Sequence, residues 1–533
     1  MEIKLSKSIA ELEENIKFIW QPPDIYDDVH NNYIWLVYGR KGSGKSTLVD
    51  YLGKKNGNNN VIIVRPRNSE LFRKIKAATT NYDGNIDGIE EAISTALDFA
   101  LTSHMIRVIV SENKSLDDGH SEELNNLISF LRSHDLEKGK IFQKAIKFLS
   151  GLSVEGFTIT PNLTNLLDTV DAKVTFSDAK EALYEYVKIK GIEKLMCIDD
   201  IDEMGFTYSK EDKSLINALL ILMVRKNLIF IERGIKLRIL ITAPSELFFQ
   251  SSLWGSDWVT PRSRCLQWKE LVHLKELVNK RIAVELNVHK SKPRFPDDKY
   301  SIATEQTWNR LFPTNIYNKI GRREETFLYI LRHTFYTPRQ ILDLCDFILK
   351  SYEQHKIPIN LIISQSKQVN ASIIQSSVEE FSYRIRKDII DVFSRIYYGL
   401  EEVMKAFQQR PNVWLKNQLI DFVKSNNLML IEIENENEFK NENLIKQLQI
   451  IGFLGLGNRS IGGVSNSFDI RFSFLEYFPT YKSWEIAAIS PLFYDSYDIR
   501  PVDDIIVSPH AKLSFGFTSY QKLVNYNHIT NIF

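Results

Sequence analysis

An α/β fold built on a parallel sheet, followed by a helical region and a C-terminal module, is what this sequence predicts. Three observations carry that prediction. Short apolar runs alternate with helix-length segments through the first half of the chain, the order of a parallel sheet with crossover helices. Beyond Trp268 the apolar spacing turns helical and strand patterns vanish until about residue 428. The length of 533 residues exceeds what one hydrophobic core fills, while 44% hydrophobic and 25% charged residues exclude a disordered or fibrous chain.

Taken in order, Tyr33 to Tyr38 (YIWLVY) is an apolar run ending at Gly39, as expected of a strand buried on both faces. A glycine-rich turn and a helix over Ser46 to Leu52 follow. Val61 to Val64 (VIIV), stopped by Pro66, is a second strand. Ser69 to about Ser153 reads as helices with polar breaks. Leu195 to Ile198 (LMCI) is a third strand, Lys213 to Glu232 an apolar helix, and Leu237 to Thr242 (LRILIT) a fourth strand. Trp268, Leu271, Leu274, Val278 and Ile282 recur at helical spacing as a core stripe. Lys290 to Lys299 and Glu353 to Pro358 are linkers by their proline and charge.

Lys plus Arg and Asp plus Glu both number 67, so the net charge is zero and no chain-wide attraction to nucleic acid or anionic membrane exists. Three cysteines (Cys197, Cys265, Cys345), widely spaced and without a CxxC pair, exclude a disulfide scaffold and point to a reducing cytoplasm. The N-terminus lacks the apolar core of a signal peptide, and the most apolar run, Leu215 to Val224, is about half the length a bilayer requires. A membrane span is not expected.

Gly39-Arg40-Lys41-Gly42-Ser43-Gly44-Lys45-Ser46 matches G-x-x-x-x-G-K-[ST] between a strand and a helix. In that context glycines let backbone amides turn inward as an anion nest, and the helix N-terminus adds positive potential. Gly39, Lys41, Gly42, Ser43, Gly44, Lys45, Ser46 and Thr47 are thus the candidate nucleotide-binding residues, with Lys45 on the β and γ phosphates and the Ser46 hydroxyl on magnesium. Such a site needs an acidic strand end to hold the metal and orient the attacking water. Asp199 and Asp200, after the LMCI run, supply it: Asp199 as the magnesium residue, Asp200 as the catalytic base, with Asp202 and Glu203 in the DDIDE run as alternatives for the base. ATP and Mg2+ are the expected cofactors.

Roughly 150 residues with a strand and helices separate the lysine from the aspartates, which fits an additional strand between the two motifs. YGRKGSGKST, LMCIDDIDE, ILITAPSELF, QWKELVHLKELVNKR and YTPRQILDLC together resemble the AAA+/STAND P-loop ATPases of the ASCE type, and are most similar to origin-recognition-like bacterial ATPases, often encoded in defence loci. The resemblance covers residues 30 to 350. It implies Walker A and Walker B roles for the two motifs and a core over residues 1–289 carrying a helical insertion at about 68–190. It further implies a helical lid over 290–357 and a winged-helix-like domain over 376–533. It implies a sensor 1 group at Thr242 or Ser245 and a catalytic sensor 2 arginine at Arg339. Where many relatives carry an arginine after the sensor strand, this chain has Ala243 and Pro244. Thr337 and Pro338 read as the cap and first position of a helix from Pro338 to Leu349, which places Arg339 in its first turn. Arg262 and Arg264 are the candidates for arginine fingers acting on a second copy.

In the last region, Trp414, Leu415, Leu419, Phe422 and Val423 read as one amphipathic helix and Leu444, Leu448 and Ile451 as another, followed by a glycine-rich turn (Gly452 to Gly463) and strands over Asp469 to Phe474. Between Pro411 and Phe474 six basic residues face seven acidic ones, four of them glutamates in IEIENENEF, whereas a DNA reader clusters positive charge. Arg384, Arg386 and Lys387 are the only local basic cluster. The aromatic residues Tyr477, Phe478, Tyr481, Trp484, Phe493, Tyr494 and Tyr497 suit a protein interface, with a place in the core as the alternative for most of them. The expected function is a switch or motor ATPase acting on a protein partner, an effector or a further copy of itself, with a role in antiviral defence implied by the resemblance. The alternative is a DNA-binding loader of the origin-recognition type.

Overall fold

The computed structural model describes residues 25–31, 34–55, 60–65, 86–113, 121–134, 136, 173–201, 210–248, 256–268, 270–285, 307–354, 368–433, 436–460, 467–475, 483–502, 505, 507–509 and 513–514. They fall into two compact units: Asp24–Lys41 with Lys45–Leu266, and Gly42–Gly44 with Gln267–Phe533. The expected linker over residues 290–299 lies outside the described residues.

The first unit runs α1 (Ile25–His30), β1 (Leu36–Gly39), α2 (Lys45–Lys55), β2 (Val61–Val64), α3 (Ile86–Asn113), α4 (Glu122–Ser133), α5 (Phe176–Lys190), β3 (Lys194–Ile198), α6 (Lys210–Glu232), β4 (Leu237–Pro244), α7 (Ser245–Phe248) and β5 (Ser263–Cys265). The five strands form one sheet in the order β2-β3-β4-β1-β5, and every pairing in it is parallel. β1 and β3 are buried along their whole lengths, which is why their sequences are continuous apolar runs rather than alternating ones. In the sheet β4 separates β1 from β3, although β2 separates them in sequence. This architecture is compatible with a P-loop NTPase-like core.

Local chemistry sets the helix ends. Thr175 and Asp178 form a reciprocal capping box at the start of α5, and Gly191 ends that helix at φ 62°, a left-handed conformation glycine adopts without strain. Ser121 caps α4 through the amide of Leu124. α2 packs on β1, β2 and β4, while α6 packs on β4 and against α3. The segments Glu90–Asn113 and Lys213–Glu232 are long and apolar enough to cross a membrane, but 72% and 67% of their apolar windows are buried inside the protein, as core helices are. The apolar stretch around Leu215 is therefore longer than its sequence run suggested, and it is burial that accounts for it.

The second unit runs α8 (Leu271–Glu285), β6 (Asn315–Tyr317), β7 (Arg323–Glu325), α9 (Thr326–Arg332), α10 (Pro338–Gln354), α11 (Ala371–Phe393), β8 (Tyr397–Tyr398), α12 (Leu400–Lys405), β9 (Val413–Leu415), α13 (Lys416–Ser425), β10 (Met429–Glu432), β11 (Glu438–Lys440), α14 (Asn441–Ile451), β12 (Leu454–Arg459), β13 (Ser467–Arg471), β14 (Ile486–Ile489) and β15 (Leu513–Ser514). α10 packs against α8 and α11. Two antiparallel sheets follow, β11-β10-β8 and β15-β13-β12-β14-β9, with the short hairpin β6-β7 ahead of them.

Three sequence expectations are corrected here. Strands do occur between Trp268 and residue 428, namely β6, β7, β8 and β9, each only two or three residues long and too short to show a period. Trp414 and Leu415 belong to β9 and not to the helix that begins at Lys416, because they pair with Ala487 and Ile486 of β14. The glycine-rich stretch expected as a turn from Gly452 to Gly463 holds the central strand β12 over Leu454–Arg459, and Gly462 and Gly463 lie outside the described residues. A Cβ on Gly455 would lie 2.7 Å from the Phe472 ring, and one on Gly457 2.5 Å from the Asp469 carbonyl oxygen, so these glycines permit close approach. The aromatic tail is also largely core: Trp484, Phe493 and Tyr497 are buried, and Tyr477, Phe478 and Tyr481 lie outside the described residues.

Candidate functional site

All five parallel strands present their carboxyl ends at one edge of the sheet, where ligands of open α/β sheets bind. β1 brings Gly39 there, and Lys45 opens α2. Lys45 is 8% exposed, and its ammonium donates to the Gly39 carbonyl at 2.9 Å and the Arg40 carbonyl at 3.2 Å, curling back over the loop it follows. Gly42 and Gly44 hold φ 85° and 100°, in the left-handed region open to glycine. Lys41 is exposed and Thr47 half-buried.

Strand register assembles the acidic side. Val64 pairs with Ile198 and Ile198 with Ile241, so the next residues, Arg65, Asp199 and Thr242, stand in one row across β2, β3 and β4. The Thr242 hydroxyl donates to Asp199 Oδ1. Arg65 Nε lies 3.7 Å from Asp199 Oδ2 and 3.4 Å from Asp200 Oδ2, and its Nη2 donates to Asp50 Oδ1 at 2.7 Å. Asp199 is almost fully buried. Burial pushes its carboxyl up to about 6 with help from the Asp200 charge, and the Thr242 hydrogen bond and Arg65 pull the other way. Asp200 holds φ 58°, unusual for a residue with a side chain.

Ser46 Oγ donates to Asp200 Oδ1 at 2.8 Å. The sequence reading paired Ser46 with Asp199 as magnesium residues; in the structure the serine meets Asp200, and Asp199 meets Thr242. Ser245, the other sensor 1 candidate, is buried at the start of α7. Asp202 and Glu203 lie outside the described residues. Arg65 was missed by sequence reasoning, although its place directly after the VIIV strand puts it at the same sheet edge as the aspartates.

Magnesium can be tested against these groups. Asp199 Oδ2 is buried without a hydrogen-bond partner, a costly state that a bound ligand would relieve. Hydroxyl and carboxylate oxygens are the hard donors magnesium takes. No group of three or more His, Cys, Asp or Glu able to hold a metal occurs among the described residues. A magnesium ion here would complete its shell with water and phosphate oxygens, as is usual for nucleotide-bound magnesium.

In the second unit Gly42 to Gly44 pack with the residues that follow Gln267. The Trp268 indole donates to the Ser43 carbonyl at 2.8 Å, and the Arg339 amide donates to the Gly42 carbonyl at 3.3 Å. A Cβ on Gly42 would stand 2.8 Å from the Arg339 Cβ. Thr337 caps α10 by accepting from the Gln340 amide at 3.3 Å, and the Arg339 side chain is exposed in its first turn.

No family model matches the chain, and no curated protein matches it.

The remaining arginine candidates have partners within their own units. Arg262 lies over the Trp35 ring at 4.5 Å, and Arg264 pairs with Asp28 at 3.4 Å. Arg386 donates to the Ser496 carbonyl at 2.9 Å, leaving Arg384 and Lys387 as the exposed members of their cluster. Four of the six basic residues counted between Pro411 and Phe474 form ion pairs: Lys416 with Glu442, Lys440 with Glu438, Arg459 with Glu485 and Arg471 with Asp469.

Proposed function

We propose that the chain is a P-loop ATPase of the AAA+/STAND type that binds ATP with Mg2+ and hydrolyses it as a switch acting on a protein partner. The observation that carries this reading is the meeting of the Lys45-Ser46 turn with the Asp199-Asp200 strand end, through the 2.8 Å bond from Ser46 to Asp200. The buried Lys45 ammonium at the start of α2 and the buried, incompletely paired Asp199 carboxylate suit a phosphate bound with a metal.

In this reading Lys45 leaves the Gly39 and Arg40 carbonyls and binds the β and γ phosphates. Ser46 and Asp199 would hold the magnesium, which neutralises phosphate charge when bound. Thr242 orients Asp199 by donating to its Oδ1. Asp200, fixed by Ser46 and Arg65, orients the attacking water and accepts its proton. The sensor 2 role of Arg339, a guanidinium suited to a terminal phosphate, rests on the sequence resemblance alone. A winged-helix-like C-terminal region that contacts protein and not DNA completes the proposal, supported by the ion pairing of its basic residues. A role in antiviral defence rests on the sequence resemblance alone.

The test is Lys45→Ala in the full chain. It is expected to fold, since only two carbonyl contacts are lost, and to lose ATP binding. A folded variant with unchanged ATP affinity would sink the nucleotide-site assignment.

A further inference from the structure

We propose that Arg65 competes with the divalent cation for the Asp199-Asp200 pair, so that the metal enters together with the nucleotide rather than ahead of it. This rests on the ATPase reading above and adds to it a positioning residue that controls the order of loading.

Three carboxylates converge on one guanidinium. Arg65 Nη2 is 2.7 Å from Asp50 Oδ1, and Arg65 Nε is 3.4 Å from Asp200 Oδ2 and 3.7 Å from Asp199 Oδ2. The side chain is 15% exposed, so water screens these interactions only in part. Asp50 on α2 anchors one end of the guanidinium, and the row formed by β2 and β3 sets Arg65 beside Asp199. A planar, permanently charged fork of this kind holds its carboxylates in one geometry.

Electrostatics sets the sign of the consequence. A cation bound by Asp199 would sit in the field of a positive charge already placed against the same carboxylates, so Arg65 lowers the affinity for free metal. ATP brings negative charge that offsets this repulsion. Metal binding without nucleotide is therefore weak, and metal with ATP is strong.

The experiment is Mn2+ binding to the full chain, followed by electron paramagnetic resonance with and without ATP, in the unmodified protein, Arg65→Gln and Arg65→Lys. Removing one unit charge within 4 Å of the pair is expected to tighten nucleotide-free Mn2+ binding by about tenfold or more in Arg65→Gln. Arg65→Lys keeps the charge and should stay close to the unmodified protein. Should Arg65→Gln fail to fold with three carboxylates left together, the double variant Arg65→Gln/Asp50→Asn relieves the crowding and carries the same expectation. Equal or weaker nucleotide-free Mn2+ binding in the folded Gln variant overturns the inference while leaving the ATPase reading in place. Absence of Mn2+ binding in every variant, even with ATP, removes the metal-nucleotide reading itself and this inference with it.

Discussion

Ser46 and Asp200 stand 154 positions apart, and the serine hydroxyl donates to the Asp200 carboxylate at 2.8 Å. The bond joins the first turn of α2 to the residue after β3, where Asp200 has φ 58°. Asp200→Asn preserves the shape of the side chain and its bond to Ser46 but removes the carboxylate proposed as the base. ATP affinity is expected to stay within a few-fold while turnover falls by about 10²-fold or more. Parallel measurements of ATP affinity and phosphate release check this, and normal turnover in the variant would move the base to Asp202 or Glu203.

Glycine substitutions should part by sign. Gly457→Ala places a Cβ 2.5 Å from the Asp469 carbonyl oxygen across the β12-β13 pair, where backbone must move, and is expected to destabilise the protein by about 1–3 kcal/mol. Gly53 lies inside α2 with its nearest neighbour, Ile63 Cδ1, at 3.8 Å, so Gly53→Ala should stabilise by about 0.5–1 kcal/mol. Denaturant midpoints of the two variants decide the matter.

A buried ion pair ties α3 to α6. Lys226 Nζ is 2.6 Å from Asp98 Oδ1, and it donates to Thr102 and to the Tyr184 hydroxyl at 3.2 Å each. Burial by itself would raise the Asp98 carboxyl, but Lys226 and Lys180 outweigh it and hold the group below its usual range. Burial likewise works against the Lys226 charge, and Asp98 and Tyr184 outweigh it upward. A depressed acid gives stability above its unfolded value that is lost as pH falls through the folded one, and a raised lysine gives stability that is lost as pH climbs past its folded one. The pair should therefore contribute fully between about pH 4 and 10 and fail outside that window. Lys226→Met is expected to cost about 3–5 kcal/mol at pH 7 by leaving Asp98 buried without its main partner, a loss that shrinks as pH falls toward about 4, because burial without Lys226 lets Asp98 take up its proton more readily. Thermal melts of both proteins across pH check it.

Ion pairing of four of the six basic residues between Pro411 and Phe474 reduces the cation that this stretch offers a phosphate backbone. Retention of the full chain on duplex DNA is expected to be weak at about 150 mM salt and insensitive to sequence. Tight binding with a steep salt slope, lost in Arg384→Ala/Lys387→Ala, would promote the DNA-loader reading instead.

Much of the first unit was legible in the sequence because parallel strands are buried on both faces and announce themselves as apolar runs: VIIV and LMCI lie where their residues alone place them, and the strand expected over Tyr33 to Tyr38 runs instead over Leu36–Gly39. Capping chemistry is equally local, so Thr337 and Pro338 marked the start of α10 from a four-residue pattern. What no local pattern holds is register. Only the pairing of Val64 with Ile198 and Ile198 with Ile241 decided that Arg65 flanks Asp199 and that Thr242 reaches it. The same limit hid β12, whose Gly455 and Gly457 read as a turn until Phe472 and Asp469 supplied the crowding that only glycine fits. Contacts between residues far apart in the chain depend on how strands align, and that alignment is fixed by packing the whole sheet rather than by any segment of it.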